Sequence, residues 1–115
     1  METPPSTRTR VIKVLLLSPL DRVSAERVAS CLLMSSSTLR RRLQAEQTSY
    51  QQLLDAVRQH RCEKALARRW LPGKLLARDL GFRETNSFYR AFNKWTGMSF
   101  TQYKRHYQAK QAALR

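Results

Sequence analysis

Residues 76–104 read LARDLGFRETNSFYRAFNKWTGMSFTQYK, and the order of stop and start signals in this stretch decides the fold. The apolar residues before Gly81 predict a short helix over Leu75–Leu80 that the glycine ends. From about Glu84 to Trp95, Phe88, Phe92 and Trp95 recur at helical spacing, so one side of a second helix is aromatic, and Gly97 closes it. Ser99 followed by Gln102 is a capping-box pattern that opens a last helix with Tyr103 and Tyr107 turned inward. Glycine is scarce in the chain, with three in all, β-branched runs are absent and apolar residues recur at three and four, so the reading is helical throughout.

The same reading extends upstream. Pro72-Gly73 closes a long helix predicted from Tyr50 to Trp70, which Ser49 and Gln52 open with the same capping pattern. A helix over about Ser36–Glu46 buries Leu39 and Leu43. Before it, Ser24 caps a helix carrying Val28, Ala29 and Leu32 inward, with Glu26 favourable near the positive end of the helix dipole. A first helix over about Thr9–Leu17 stops at Ser18-Pro19. The expected architecture is all-α, with seven helices. Residues 1–8 form a leader, 9–48 a first helix-turn-helix subdomain, 49–71 a linker helix and 72–115 a second subdomain.

The two subdomains are copies of one unit. Ala29 matches Ala77 at a separation of 48, Leu39 and Leu43 match Phe88 and Phe92 at 49, and Ser49-Tyr50-Gln51-Gln52 matches Ser99-Phe100-Thr101-Gln102 at 50. Helix, turn, helix and cap keep their order, which chance matches rarely do. The apolar stripe of the linker helix rotates along its length, from Leu53 and Val57 to Cys62, Ala65 and Leu66, as a helix completing two cores in turn requires.

Composition narrows the function. The 115 residues hold 22 Lys plus Arg against 8 Asp plus Glu, a net charge of +14 with neutral histidines, and 42% are hydrophobic. A folded chain this basic points to a polyanion, foremost nucleic acid. Catalytic patterns are missing. Asp21, Asp55 and Asp79 fall on separate elements, no Gly-rich phosphate loop or nucleophile elbow occurs, and His60 and His106 have no partner at metal-ligand spacing. Cys31 and Cys62 read as buried or semi-buried free thiols of a reducing cytoplasm. The expectation is a chain without catalysis, metal or cofactor.

Helical geometry selects the candidate contacts. Taking Leu39 as origin, with Leu43 about 40° on, Arg41, Ser37 and Gln44 fall at about 200°, 160° and 140° and Arg40 at about 100°. With Phe88 as origin, Arg90, Asn86, Asn93 and Tyr89 occupy the same angles. Arg grips guanine and Asn grips adenine with paired hydrogen bonds, whereas a solvated helix face more often alternates Glu and Lys.

The quoted stretch also resembles the signature of the arabinose-regulator (AraC/XylS) family of bacterial transcription factors, through Ala77, Gly81-Phe82, Ser87-Phe88, Arg90, Phe92, Gly97, Ser99 and Tyr103. The resemblance runs back through Met34–Leu43 and covers about residues 9–107. It departs at Phe100, where proline is usual, at Lys104, where arginine is usual, and at Gln47, where the first half often has glycine. It implies two helix-turn-helix subdomains whose second helices enter the major groove. It places DNA contacts on Ser37, Arg40 and Arg41 and on Thr85, Asn86, Tyr89, Arg90 and Asn93. Members of that family often carry a separate sensor or dimerisation domain, so the resemblance implies either the DNA-binding fragment of a longer regulator or a small stand-alone one.

The expected partner is therefore double-stranded promoter DNA read in successive major grooves, with RNA polymerase as a second partner. A non-sequence-specific nucleoid or RNA-binding protein is the alternative that a basic surface alone would also satisfy. A helix from Tyr50 to Trp70 would span about 31 Å, close to the roughly 34 Å of one duplex turn.

Overall fold

The computed structural model describes residues 5–114. Among these the fold is all-helical, with seven α-helices: α1 (Thr7–Leu16), α2 (Ala25–Cys31), α3 (Ser36–Ala45), α4 (Tyr50–Arg68), α5 (Gly73–Asp79), α6 (Thr85–Thr96) and α7 (Phe100–Ala113). A 3₁₀ turn, Leu20–Arg22, follows Pro19 and buries Leu20, an element the sequence reading did not foresee. The chain divides into two compact units within α4, between Arg58 and Gln59.

In the first unit α1 packs on α2 and α3, and α2 on α3. Its core is aliphatic: Val11, Leu15, Leu20, Val28, Leu39, Leu43, Leu53 and Val57 are buried. Helix α1 begins at Thr7, two residues before the expected start, for two reasons. The Ser6 hydroxyl accepts the Thr9 N–H at 3.1 Å. The Glu46 carboxylate, at the end of α3, accepts the N–H groups of Thr7 at 3.1 Å and Arg8 at 3.0 Å. A carboxylate on exposed helix-terminal amides also sits well in the helix dipole. Of the expected leader, residues 1–4 lie outside the described residues, and Thr7 and Arg8 are helical.

The second unit has an aromatic core. Helix α5 packs on α6 and α6 on α7. Phe88 and Phe92 are buried, and Phe100 stacks against both, with ring centroids 5.6 and 5.0 Å away. Trp70 closes one side against Phe100 and Tyr107. The expected capping box of Ser99 and Gln102 is present in both directions. At Ser49 only half of it forms. The Ser49 hydroxyl accepts the Gln52 N–H, while the Gln52 side-chain oxygen accepts from the Thr48 hydroxyl.

Other expectations need correction. Helix α4 ends at Arg68 rather than Trp70, and Pro72-Gly73 opens the next helix, Pro72 as its N-cap and Gly73 as its first residue. Proline preceding the first turn is sterically suited to that role, since its missing N–H is not needed there. Tyr103 and Tyr107 are half-buried rather than buried: each ring rests against one core aromatic, Phe92 and Trp70 respectively, and α7 has no fully buried residue. Cys62 is buried, but Cys31, the last residue of the short α2, is exposed. Burial along α4 follows the rotating stripe: Leu53, Leu54 and Val57 in the first unit, Cys62 and Leu66 in the second.

Candidate nucleic-acid interface

Each unit contains a helix pair joined by a tight turn. Between α2 and α3, Leu33 takes a left-handed conformation (φ 60°), and the Met34 N–H reaches back to the Ala29 carbonyl at 3.0 Å. Between α5 and α6, Gly81 holds the matching position (φ 83°), and the Phe82 N–H donates to the Ala77 carbonyl at 2.9 Å. The bonds are those of one helix-ending motif built twice. After α3 and α6 the repeat continues with left-handed Gln47 (φ 61°) and Gly97 (φ 75°).

These turns fix the second helix of each pair. Helix α3 is capped by the Ser35 hydroxyl on the Thr38 N–H and anchored by buried Leu39 and Leu43, which leaves Ser37, Arg40, Arg41 and Gln44 exposed on its outer side. Helix α6 is anchored by Phe88 and Phe92, and Asn86, Tyr89, Arg90 and Asn93 are exposed; Thr85, its first residue, is half-buried. The structure thus gathers the candidates into two outer faces, one per unit.

Both central arginines are held. Arg41 Nη2 donates to Thr38 Oγ1 at 3.4 Å, and Arg90 Nη2 donates to Ser87 Oγ at 3.2 Å. These two hydroxyls were not among the candidates, although the arginine-minus-three spacing is visible in both halves of the sequence. Tyr89 has a support of another kind. A Cβ built on Gly73 would lie 2.5 Å from the Tyr89 hydroxyl and 2.6 Å from its ring, so the ring packs directly over this glycine and any side chain there would displace it.

Matching clefts flank the two faces. Arg40 and Gln44 of α3 and Ser49, Tyr50 and Gln51 at the start of α4 line a cleft of about 380 Å³. Their counterparts Tyr89, Asn93, Ser99, Phe100 and Thr101 line one of about 360 Å³. In each, an exposed side chain of the second helix lies beside the amino end of the next helix, where partial positive charge suits an anion; the Glu26 carboxylate also lines the first of the two clefts. Lys74, Arg78 and Arg83 line a third cleft, around the turn from α5 to α6.

Ionisation is shifted at few positions. Burial pushes the Cys62 thiol up to about 12, with Glu63 adding to the effect. Burial also lowers Arg58 and raises the Tyr50 phenol, whose hydroxyl is buried and has no hydrogen-bond partner. The Arg8 N–H is the main cause that holds the Glu46 carboxyl below its ordinary value; partial desolvation opposes it and the Thr7 N–H adds to it. Among the described residues no group of three or more His, Cys, Asp or Glu can hold a metal ion, and no helix is long and apolar enough to cross a membrane.

Known proteins share this arrangement. The helix-turn-helix domain family matches residues 28–106. The ornithine utilization regulator of Pseudomonas aeruginosa is 41% identical over 96 residues, which are 84% of this chain and 28% of that protein. The regulator GadX of Escherichia coli K12 is 34% identical over 100 residues, 87% of this chain and 36% of that protein. The chain therefore spans about a third or less of the length of these relatives. A crystal structure of a DNA-binding transcriptional dual regulator from Escherichia coli K-12 superposes with a TM-score of 0.82 at 31% identity, covering 95% of this chain and 98% of that one. A domain match over more than half of the chain, falling on the two repeated helix pairs, has one reading: the chain belongs to the AraC-type helix-turn-helix family.

Proposed function

We propose that the chain is the sequence-specific, double-stranded DNA-binding module of a bacterial transcriptional regulator. The observation that carries this reading is the pair of outer faces, Ser37, Arg40, Arg41 and Gln44 on α3 and Asn86, Tyr89, Arg90 and Asn93 on α6, with Thr85 at the start of the second. Base-reading side chains stand at equivalent positions of two helix-turn-helix units, each opposite a buried apolar anchor. Phosphates are met by the amino ends of α4 and α7 and by peripheral Lys and Arg, which fix register while the outer faces read sequence.

Both recognition helices read one duplex, in successive major grooves. RNA polymerase is the expected second partner at a promoter in the cytoplasm, and a sensor or dimerisation domain is a further partner in this reading. The module has no cofactor of its own in this reading.

Selection of bound duplexes from a random pool tests the proposal. The expected result is a bipartite consensus with elements about one turn apart, and loss of most specific binding when about 5 bp are inserted between them. Log affinity should also fall steeply with log salt, by about a thousandfold or more between 50 and 200 mM for roughly 6 to 10 phosphate contacts. Retention of no consensus, with equal competition by any DNA, would replace this reading with a non-specific nucleoid role.

A further inference from the structure

We propose that Thr38 and Ser87 are positioning residues that aim Arg41 and Arg90 at base edges. The inference rests on the DNA-reading function above and specifies how its two central arginines are prepared for it. An exposed arginine rotates about several bonds and must give up that freedom to grip a base in a fixed geometry. Here each guanidinium is already tied to a hydroxyl one turn back, Arg41 to Thr38 at 3.4 Å and Arg90 to Ser87 at 3.2 Å. Both hydroxyls sit on half-buried residues at the third position of their helices, so each is a fixed point.

The direction of the tether fits the task. A partner three residues earlier draws the guanidinium toward the amino end of the helix, the end that helix-turn-helix proteins bring to the base edges. Chemistry leaves room for both contacts. Each terminal guanidinium nitrogen carries two N–H bonds, so Nη2 can donate once to the hydroxyl and once to guanine, with a neighbouring nitrogen supplying the second base contact.

The repeat argues against an incidental surface bond. The pairs stand 49 residues apart, at equivalent positions of two units that have otherwise diverged from an aliphatic to an aromatic core. Even the acceptor differs, threonine in one and serine in the other, while the bond is kept. Spacing alone does not produce it, since Ser37 lies three residues before Arg40 and no hydrogen bond joins them. In the first unit the acceptor is itself braced, because the Ser35 hydroxyl also donates to Thr38 Oγ1, at 2.9 Å.

The test is a double-mutant cycle on a duplex selected from a random pool, with a scrambled duplex as control. Thr38→Val and Ser87→Ala should each weaken binding to the selected duplex about three- to tenfold and leave the scrambled duplex and the melting temperature unchanged. Thr38→Ser and Ser87→Thr should restore affinity. In an Arg41→Ala background, Thr38→Val should have no further effect, and Ser87→Ala none in an Arg90→Ala background. Equal losses with and without the arginine would show that the hydroxyls act structurally and would overturn the proposal. So would unchanged affinity in both hydroxyl variants while the arginine variants bind weakly. If Arg41→Ala and Arg90→Ala both bind the selected duplex normally, the base-reading function itself fails. Should Thr38→Val unfold, the Ser87 cycle in the other unit decides alone.

Discussion

Replacing Leu33 and Gln47 by glycine should stabilise the protein, although each substitution removes a whole side chain. Both residues hold φ near 60°, where the Cβ of an L-residue crowds the following carbonyl at a cost of about 1–2 kcal/mol. Leu33 is 94% exposed, and Gln47 is exposed as well, so little buried area is lost with either. Glycine adds flexibility to the unfolded chain, which takes back about 0.5–1 kcal/mol. The net gain is about 0.5–1 kcal/mol per site, which for a unit of this size raises the melting midpoint by roughly 2–8 °C. The reverse change is available in the second unit. A Cβ on Gly97 would meet nothing within 4 Å, so Gly97→Ala isolates the backbone term and should cost about 1 kcal/mol. Urea denaturation followed by far-UV circular dichroism measures all three. A lowered midpoint for Leu33→Gly and Gln47→Gly, with Gly97→Ala neutral, would refute the assignment of strain to these turns.

Tyr50 occupies the place of Phe100 in the repeat, and its buried hydroxyl is unpartnered. Tyr50→Phe should therefore stabilise by about 0.5–1 kcal/mol, given that an unsatisfied buried polar group costs about 1–3 kcal/mol; a loss of stability in urea titration would contradict this. Glu46 has a carboxyl held below its ordinary value. Its contribution to the capping of α1 should be complete above the unfolded carboxylate range and vanish as pH falls through the lowered folded value. Glu46→Gln should flatten that acid limb of the stability profile, and an unchanged limb would assign it to other groups. Cys31 is exposed, while the Cys62 thiol is buried and pushed up to about 12. A thiol-alkylating reagent at neutral pH should label one cysteine in the native chain and two after denaturation, and native labelling of Cys62 would place it at the surface.

Periodicity made both recognition helices legible, because Leu39 with Leu43 and Phe88 with Phe92 repeat at a single helical turn and glycine or serine marks the adjoining boundaries. The outer faces followed from the same geometry. What stayed hidden depends on residues far apart in sequence or on backbone shape. Nothing local announces that Glu46 caps a helix 38 residues earlier, which is why α1 starts before its expected boundary. Leu33 carries no turn signature, since the hydrogen bonds closing the preceding helix overrule its own preference, and Gln47 was marked only by the glycine that the resemblance leads one to expect there. Gly73 reads as a helix stop until the Tyr89 ring is placed beside it. Cys31 was misjudged because α2 is only seven residues long, so its last residue lies beyond the packed face. The hydroxyl and arginine pairs were legible in spacing but needed side-chain geometry to distinguish Arg41 from Arg40.

The unlike cores of the two units give the molecule a built-in optical label. Both of its tryptophans, Trp70 and Trp95, belong to the unit that spans residues 59–115, and Trp70 stacks on Phe100 and Tyr107 inside that aromatic cluster. The aliphatic unit has none. Tryptophan fluorescence therefore follows the melting of the aromatic unit alone, whereas a helix signal weighs both. Superimposable curves from the two signals mean that the units unfold cooperatively; curves that separate mean that one recognition helix stays folded after the other has been lost.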